Sequence, residues 1–265
     1  LGYAFEAAQL DNTAQSGEGA LVAQGLAWSS TAFAELPGGR GENGSGAAWT
    51  QPLEALHALR LDPHPFPNYT WQDEGTATHP ACLPLGSDPH GNVCWNDAVD
   101  DLIANHSRVL RGYELDQLRS PVPLPVLLQA ICTAAVQLFA AGGYDDFYLL
   151  HLVTGSRAVY AIASLSGLRW NDSTLSAMLT ALWRAVLYGY VVKRRPAIEP
   201  PPALTPPWRP WSELRAGALR HLNEPHLAKM VMTCEDYYAR WGLELCWQVA
   251  DRIVRLYDSG GKFAH

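Results

Sequence analysis

Every long apolar segment of this chain repeats its apolar residues at helical spacing, and none shows sustained alternation. Apolar residues at i, i+3, i+4 and i+7 line one face of a helix, whereas a half-buried strand needs a period of two. The pattern therefore predicts an all-α fold. We expect one multi-helix domain over 1–265, of about nine or ten helices, with no internal repeat. Hydrophobic residues make up 48% of the chain and charged residues 17%, enough apolar material for that many helices to bury a shared core.

The punctuation divides the chain. Residues 1–36 read as two helices with a turn near Ser16-Gly17, stopped by Pro37-Gly38-Gly39. Residues 38–47 are glycine-rich, but the phosphate-cradling GxxxxGK[ST] pattern is absent. A short amphipathic helix over 48–59 carries His57. Residues 61–91 are rich in Pro, Gly and Asp and predict a long irregular loop, of the kind that serves as a lid, a binding loop or an insertion. That loop holds His64, His79 and His90, at a spacing that matches no metal pattern. Further helices are expected over 93–111, with His106 on the polar side, then over 125–140, 144–165, 173–193, 211–222 and 242–257. A stiff proline-rich connector covers 196–210.

Charge and cysteine usage exclude several classes. The formal charge of −7 argues against non-specific nucleic-acid binding, which needs a basic surface. Cys132, Cys234 and Cys246 fall inside apolar helical patterns and read as buried free thiols, while Cys82 and Cys94 lie in a loop and can pair or bind metal. The Asn-X-Ser/Thr sequons at Asn43, Asn68, Asn105 and Asn171 read as chance matches, because no signal peptide is visible, and a cytoplasmic location is expected. The longest apolar run, 126–141, is interrupted by Gln129, Thr133 and Gln137, so no membrane span is expected. The chain opens on Leu1 in what reads as the middle of an element, which suggests that it begins inside a longer protein or follows processing or a disordered segment.

Two helices carry the candidate chemistry. The first opens at Asn223-Glu224-Pro225-His226, with Asn223 as the expected N-cap and Pro225 tolerated in the first turn. His226 and Lys229 are three apart and share a face that continues through Met230, Thr233 and Tyr237. Lys229 sits between Leu227-Ala228 and Met230-Val231-Met232, which suggests an inward lysine. Burial and the positive helix end would then disfavour its charge and leave a nucleophilic amine, able to form a Schiff base, act as a base or take up carbon dioxide. The alternative is a lysine that snorkels to solvent along an apolar face. On the second helix, positions 144, 147, 148, 151, 154, 155 and 158 form a stripe holding Tyr144, Phe147, Tyr148, His151 and Thr154. His151 is there either a hydrogen-bonded core residue or a ligand.

Four segments, Leu1-Gly2-Tyr3-Ala4-Phe5-Glu6, Phe147-Tyr148-Leu149-Leu150-His151-Leu152-Val153-Thr154, the run from Leu187-Tyr188 to Arg195-Pro196, and His226-Leu227-Ala228-Lys229, occur in the order in which similar segments occur in the questin oxidase-like family. The resemblance spans nearly the whole chain apart from residues 37–92. It implies a helical oxygenase that oxidises an anthraquinone-type polyketide and opens its central ring. Such a reaction is either an NADPH- and oxygen-dependent Baeyer–Villiger oxidation without a metal or a dioxygenation at non-haem iron held by histidines and a carboxylated lysine. On the second description the resemblance assigns His151 and Lys229 to the iron, as ligands and catalytic residues, and His226 as a further ligand or its support. Tyr144, Phe147, Tyr148, Thr154 and Tyr237 would line the planar substrate. The family also carries a histidine just before the LGYA-like segment and an upstream HxxxH-type helix, neither of which falls within these residues.

Oxygen reacts poorly with closed-shell molecules unless a redox metal, a flavin or a substrate carbanion intervenes. No GxGxxG follows a strand, so a Rossmann-type flavin or nicotinamide site lacks support. Imidazole and carboxylate-like ligands suit ferrous iron. The rival class is a helical binding module that kept the fold and lost the chemistry.

Overall fold

The computed structural model describes residues 49–68, 95–115, 122–164, 172–199 and 208–263. The expected helices over 1–36, the glycine-rich loop, His79, His90, Cys82, Cys94 and the LGYA-like segment lie outside the described residues. Eight helices run through those described. They are α1 (Pro52–Leu61), α2 (Trp95–Asp101, continued by a π turn over Leu102–His106, an α turn over Ser107–Leu110 and a 3₁₀ turn over Arg111–Tyr113), α3 (Leu124–Ala141), α4 (Phe147–Ala163), α5 (Asp172–Val192), α6 (Trp211–Arg220), α7 (Pro225–Trp241) and α8 (Glu244–Asp258). Among the described residues there is no strand, only an isolated bridge between Trp49 and Leu115, so the fold is all-α.

Helices α3, α4 and α5 pack on one another, α7 and α8 form a second packed pair with α6 against both, and α4 meets α7 while α3 meets α8. One continuous core results, from Leu56 and Leu59 through Ile131, Phe139, Leu150 and Trp183 to Met230, Cys246 and Ile253. The three thiols Cys132, Cys234 and Cys246 are fully buried and unbridged, as expected. Two helices, Leu124–Ala141 and Leu175–Val192, do reach the length and apolarity of a membrane span, which corrects the expectation that none would. About half of each faces the protein core, and burial against other helices selects for apolar residues as a bilayer does.

The turn between α3 and α4 fixes where the candidate site begins. A Cβ on Gly142 would stand 2.5 Å from the end of the Leu149 side chain, so a larger residue there would make that leucine shift. Gly143 has φ +105°, and Tyr144 follows with φ +74°, a left-handed conformation uncommon for an aromatic residue. Asp146 then caps α4, accepting from the Leu149 N–H at 2.9 Å and pairing with Lys193 Nζ at 2.5 Å. Tyr144 therefore precedes the helix rather than lying on its stripe.

Two polar ties hold α4 against α7. Ser156 Oγ and Tyr237 Oη share a hydrogen bond of 2.9 Å between fully buried side chains. Arg157, 6% exposed, lies 3.6 Å from Asp236, whose other oxygen accepts from Arg240 at 2.6 Å. Buried polar groups are costly unless satisfied, so the Ser156–Tyr237 bond specifies one alignment of the two helices.

Candidate functional site

The first turns of α4 and α7 bring three rings together. His151 and His226 have centroids 5.1 Å apart at 62°, and the Phe147 ring lies edge-on to both, 4.5 Å from His151 and 4.9 Å from His226. Tyr148 adjoins Phe147 at 5.8 Å, with Lys193 over its own ring at 5.1 Å. His151 is exposed and His226 half-buried, so the cluster opens to solvent.

Each imidazole is anchored through Nδ1. His151 Nδ1 lies 2.8 Å from the Phe147 carbonyl, four residues back on the same helix. A carbonyl only accepts, so His151 must donate from Nδ1, and the neutral ring carries its lone pair on Nε2. His226 Nδ1 lies 2.6 Å from Glu224 Oε1, and the same oxygen accepts from the His226 backbone N–H at 3.0 Å. A carboxylate also only accepts, so His226 is held in the same tautomer. Nδ1 donated to a carbonyl or carboxylate with Nε2 left basic is the arrangement of metal-binding histidines. Imidazole is a ligand type that ferrous iron accepts. Among the described residues no third His, Cys, Asp or Glu joins them in a set of three.

The other expected site residues separate. Lys229 lies one turn beyond His226 but is exposed, which corrects the inward reading. At 100° per residue, Leu227, Met230, Val231, Cys234 and Tyr237 share the buried face of α7, and this turns Lys229 and the half-exposed Met232 outwards. The apolar neighbours of Lys229 in sequence are thus not its neighbours across the helix. Tyr237 is fully buried, bonded to Ser156 and packed 4.6 Å from Trp241, so it belongs to the core and not to a substrate face. Thr154 is buried and turns back to the Leu150 carbonyl at 3.2 Å. Tyr144 is taken up by Phe139 at 6.5 Å and Arg252 at 4.8 Å, away from the histidines. The buried face of α4 runs through Leu149, Leu150, Val153, Ser156 and Arg157, rotated from the expected stripe, because aliphatic side chains take the core and the aromatic and imidazole rings its margin.

Asn223 is not the cap of α7; Glu224 is. Sequence reasoning passed over Glu224 as a ligand of His226, and the signal available was an acidic residue two positions before a histidine at a helix start.

A second pair of histidines stands elsewhere. His64 Nε2 and His106 Nδ1 are 2.9 Å apart, and the Phe66 ring lies beside both, 4.6 Å and 5.6 Å away. Arg195 stands 5.0 Å over Phe66 and donates to the Leu59 and Asp62 carbonyls at 2.9 and 3.1 Å. Asp62 accepts from Tyr113 and from the His64 N–H, and the Tyr113 bond, the largest influence, holds its carboxyl below the usual range. Burial, then the charge of His64, pushes His106 below the ordinary histidine value.

The family model described as "Questin oxidase-like" matches residues 1–234. No curated protein and no solved structure matches the chain. The matched residues include Phe147, His151, Glu224 and His226 and stop before α8. The chain belongs to the questin oxidase-like family, and that membership points to an oxidoreductase of the oxidase or oxygenase kind, acting on aromatic polyketides.

Proposed function

We propose that this questin oxidase-like chain catalyses oxygen-dependent ring cleavage of an anthraquinone-type polyketide at the His151–His226 pair. The observation that carries the reading is the pairing itself: two imidazoles 5.1 Å apart, each donating through Nδ1 to a separate acceptor. A ferrous ion bound there would supply the oxygen activation that a closed-shell aromatic substrate lacks. His151 and His226 would hold it through Nε2. Lys229, one turn beyond His226 on the same helix, would add a carboxylate-like oxygen if its amine, once deprotonated, adds to carbon dioxide and loses a further proton as the carbamate.

The chain's own residues do the rest. Phe147 and Tyr148 present ring edges at the cluster and would receive the face of a planar substrate in offset or T-shaped contact. The Phe147 carbonyl and the Glu224 carboxylate keep the two rings from turning, so both Nε2 atoms stay basic.

The test is oxygen uptake with an anthraquinone by protein purified without chelators, with bound iron measured on the same samples. Uptake that follows iron content, and disappears in His226→Ala, supports the reading. Lys229→Arg should lose both, since guanidinium cannot be carboxylated, and Lys229→Glu should keep part of the iron. A Lys229→Arg variant with full iron and turnover removes Lys229 from the site.

The second reading is an NADPH-dependent Baeyer–Villiger oxidation without a metal. There His151 and His226 would move protons at the substrate carbonyl. Substrate-dependent NADPH consumption that ignores iron content would select it.

A further inference from the structure

We infer that Glu224 is a positioning residue for His226 and that α8, through Tyr257, holds Glu224 in place. The inference rests on the reading that His226 acts in the proposed oxidation. It deepens that reading by making the C-terminal helix, beyond the matched residues, part of the site.

The first argument is the choice of cap. Serine, threonine, aspartate and asparagine are the efficient N-caps, because their short side chains reach the N2 or N3 N–H directly. A glutamate must fold back to do the same. At Glu224 the extra methylene has a use: Oε1 accepts from the His226 backbone N–H at 3.0 Å and also from the His226 ring at 2.6 Å. One oxygen thus ties the start of α7 to the orientation of an imidazole.

The second argument is what stands behind the carboxylate. Tyr257, 8% exposed on α8, packs its ring 5.6 Å from the His221 ring, and the His221 carbonyl accepts from the Glu224 N–H at 2.9 Å, which sets the phenol in the neighbourhood of the Glu224 carboxylate. Its oxygen also accepts from the Phe263 N–H at 3.1 Å, and the Phe263 ring, 3% exposed, packs 5.1 Å from the Tyr257 ring. Burial, with Glu224 adding to it, pushes the Tyr257 phenol up to about 12, so it stays a donor at any working pH. The order is therefore Phe263, Tyr257, Glu224, His226, running from the last residues described on the chain to the ring that faces His151.

The experiment separates positioning from capping. Glu224→Asp keeps an efficient cap and withdraws the carboxylate from the ring. Tyr257→Phe keeps the packing and removes the phenol. Long-range ¹H–¹⁵N correlation spectra, with His226 assigned by its own variant, read the tautomer directly. The parent should show the Nδ1–H form. Glu224→Asp should populate the Nε2–H form and lose on the order of tenfold in turnover, with the same far-ultraviolet circular dichroism, and Glu224→Gln, which still accepts, should recover part of both. Tyr257→Phe should shift both in the same direction, by less. A Glu224→Asp protein that keeps the Nδ1–H tautomer, or loses it with no loss of turnover, overturns the inference. Full turnover in His226→Ala instead overturns the proposed function, and the tautomer spectrum tells the two failures apart.

Discussion

The two histidine pairs of this molecule look alike in outline and differ in what their nitrogens do. In each, two imidazoles sit about 5 Å apart beside a phenylalanine, and the rings are similarly inclined. In the α4–α7 pair both Nδ1 atoms donate outwards, to a carbonyl and to a carboxylate. In the other pair His64 Nε2 bonds His106 Nδ1, so one lone pair of the two is spent inside the pair. A group arriving between His64 and His106 would have to break a hydrogen bond first. The position of the protons thus distinguishes the two pairs, and ring proximity alone does not.

The largest expected effect tests that separation outright. His151→Ala and His226→Ala should each lower anthraquinone oxidation on the order of a hundredfold or more, while His64→Ala combined with His106→Ala should change it by no more than about twofold. Equal losses from both pairs, in steady-state oxygen uptake, would break the comparison. Metal titration should sharpen it. Cobalt(II), a paramagnetic stand-in for ferrous iron, should broaden the ring resonances of His151 and His226 at sub-stoichiometric ratios and leave those of His64 and His106 sharp.

A third effect is on stability alone. Arg195 adopts φ +53° after Arg194 at +63°, and its guanidinium bonds two carbonyls at the end of α1. Arg195→Ala should cost about 1–3 kcal/mol in urea unfolding and leave turnover unchanged, because it loosens the frame around His64 and touches nothing near His226.

The smallest effect is a pH dependence. His106 is held below the histidine value of 6.5, so the folded state binds its proton less readily than the unfolded chain does. Its contribution is fully present above that value and is lost as pH falls through the lower, folded value. Protonating the acceptor nitrogen would also set two N–H groups head to head. The melting temperature should therefore decline on acidification below about pH 6.5, less steeply in His106→Gln. Acid-induced stabilisation would contradict this.

Much of the fold was legible because helical periodicity is local. The helices near 125–140, 173–193 and 211–222 emerge within a few residues of expectation, and the buried thiols follow from the same pattern. The candidate site was half legible. His151 and His226 were named, but what relates them is the crossing of α4 and α7, set by Ser156, Tyr237, Arg157 and Asp236, which no local pattern encodes. Lys229 is exposed, as the solvent-reaching alternative has it, because residues adjacent in sequence point about 100° apart on a helix. The His64–His106 bond spans 42 residues and left no trace in the spacing.

The three core thiols have a consequence for the lifetime of the protein. Thiol oxidation proceeds through the thiolate and needs contact with the oxidant. Burial denies both: it pushes the Cys132 thiol up to about 11 and the Cys246 thiol well above its usual value, and all three sulfurs belong to fully covered residues. Damage to them must therefore wait for the core to open. Their rate of reaction with an alkylating probe would measure how often it does, so the same cysteines that endure in the folded protein would keep a record of every excursion from it.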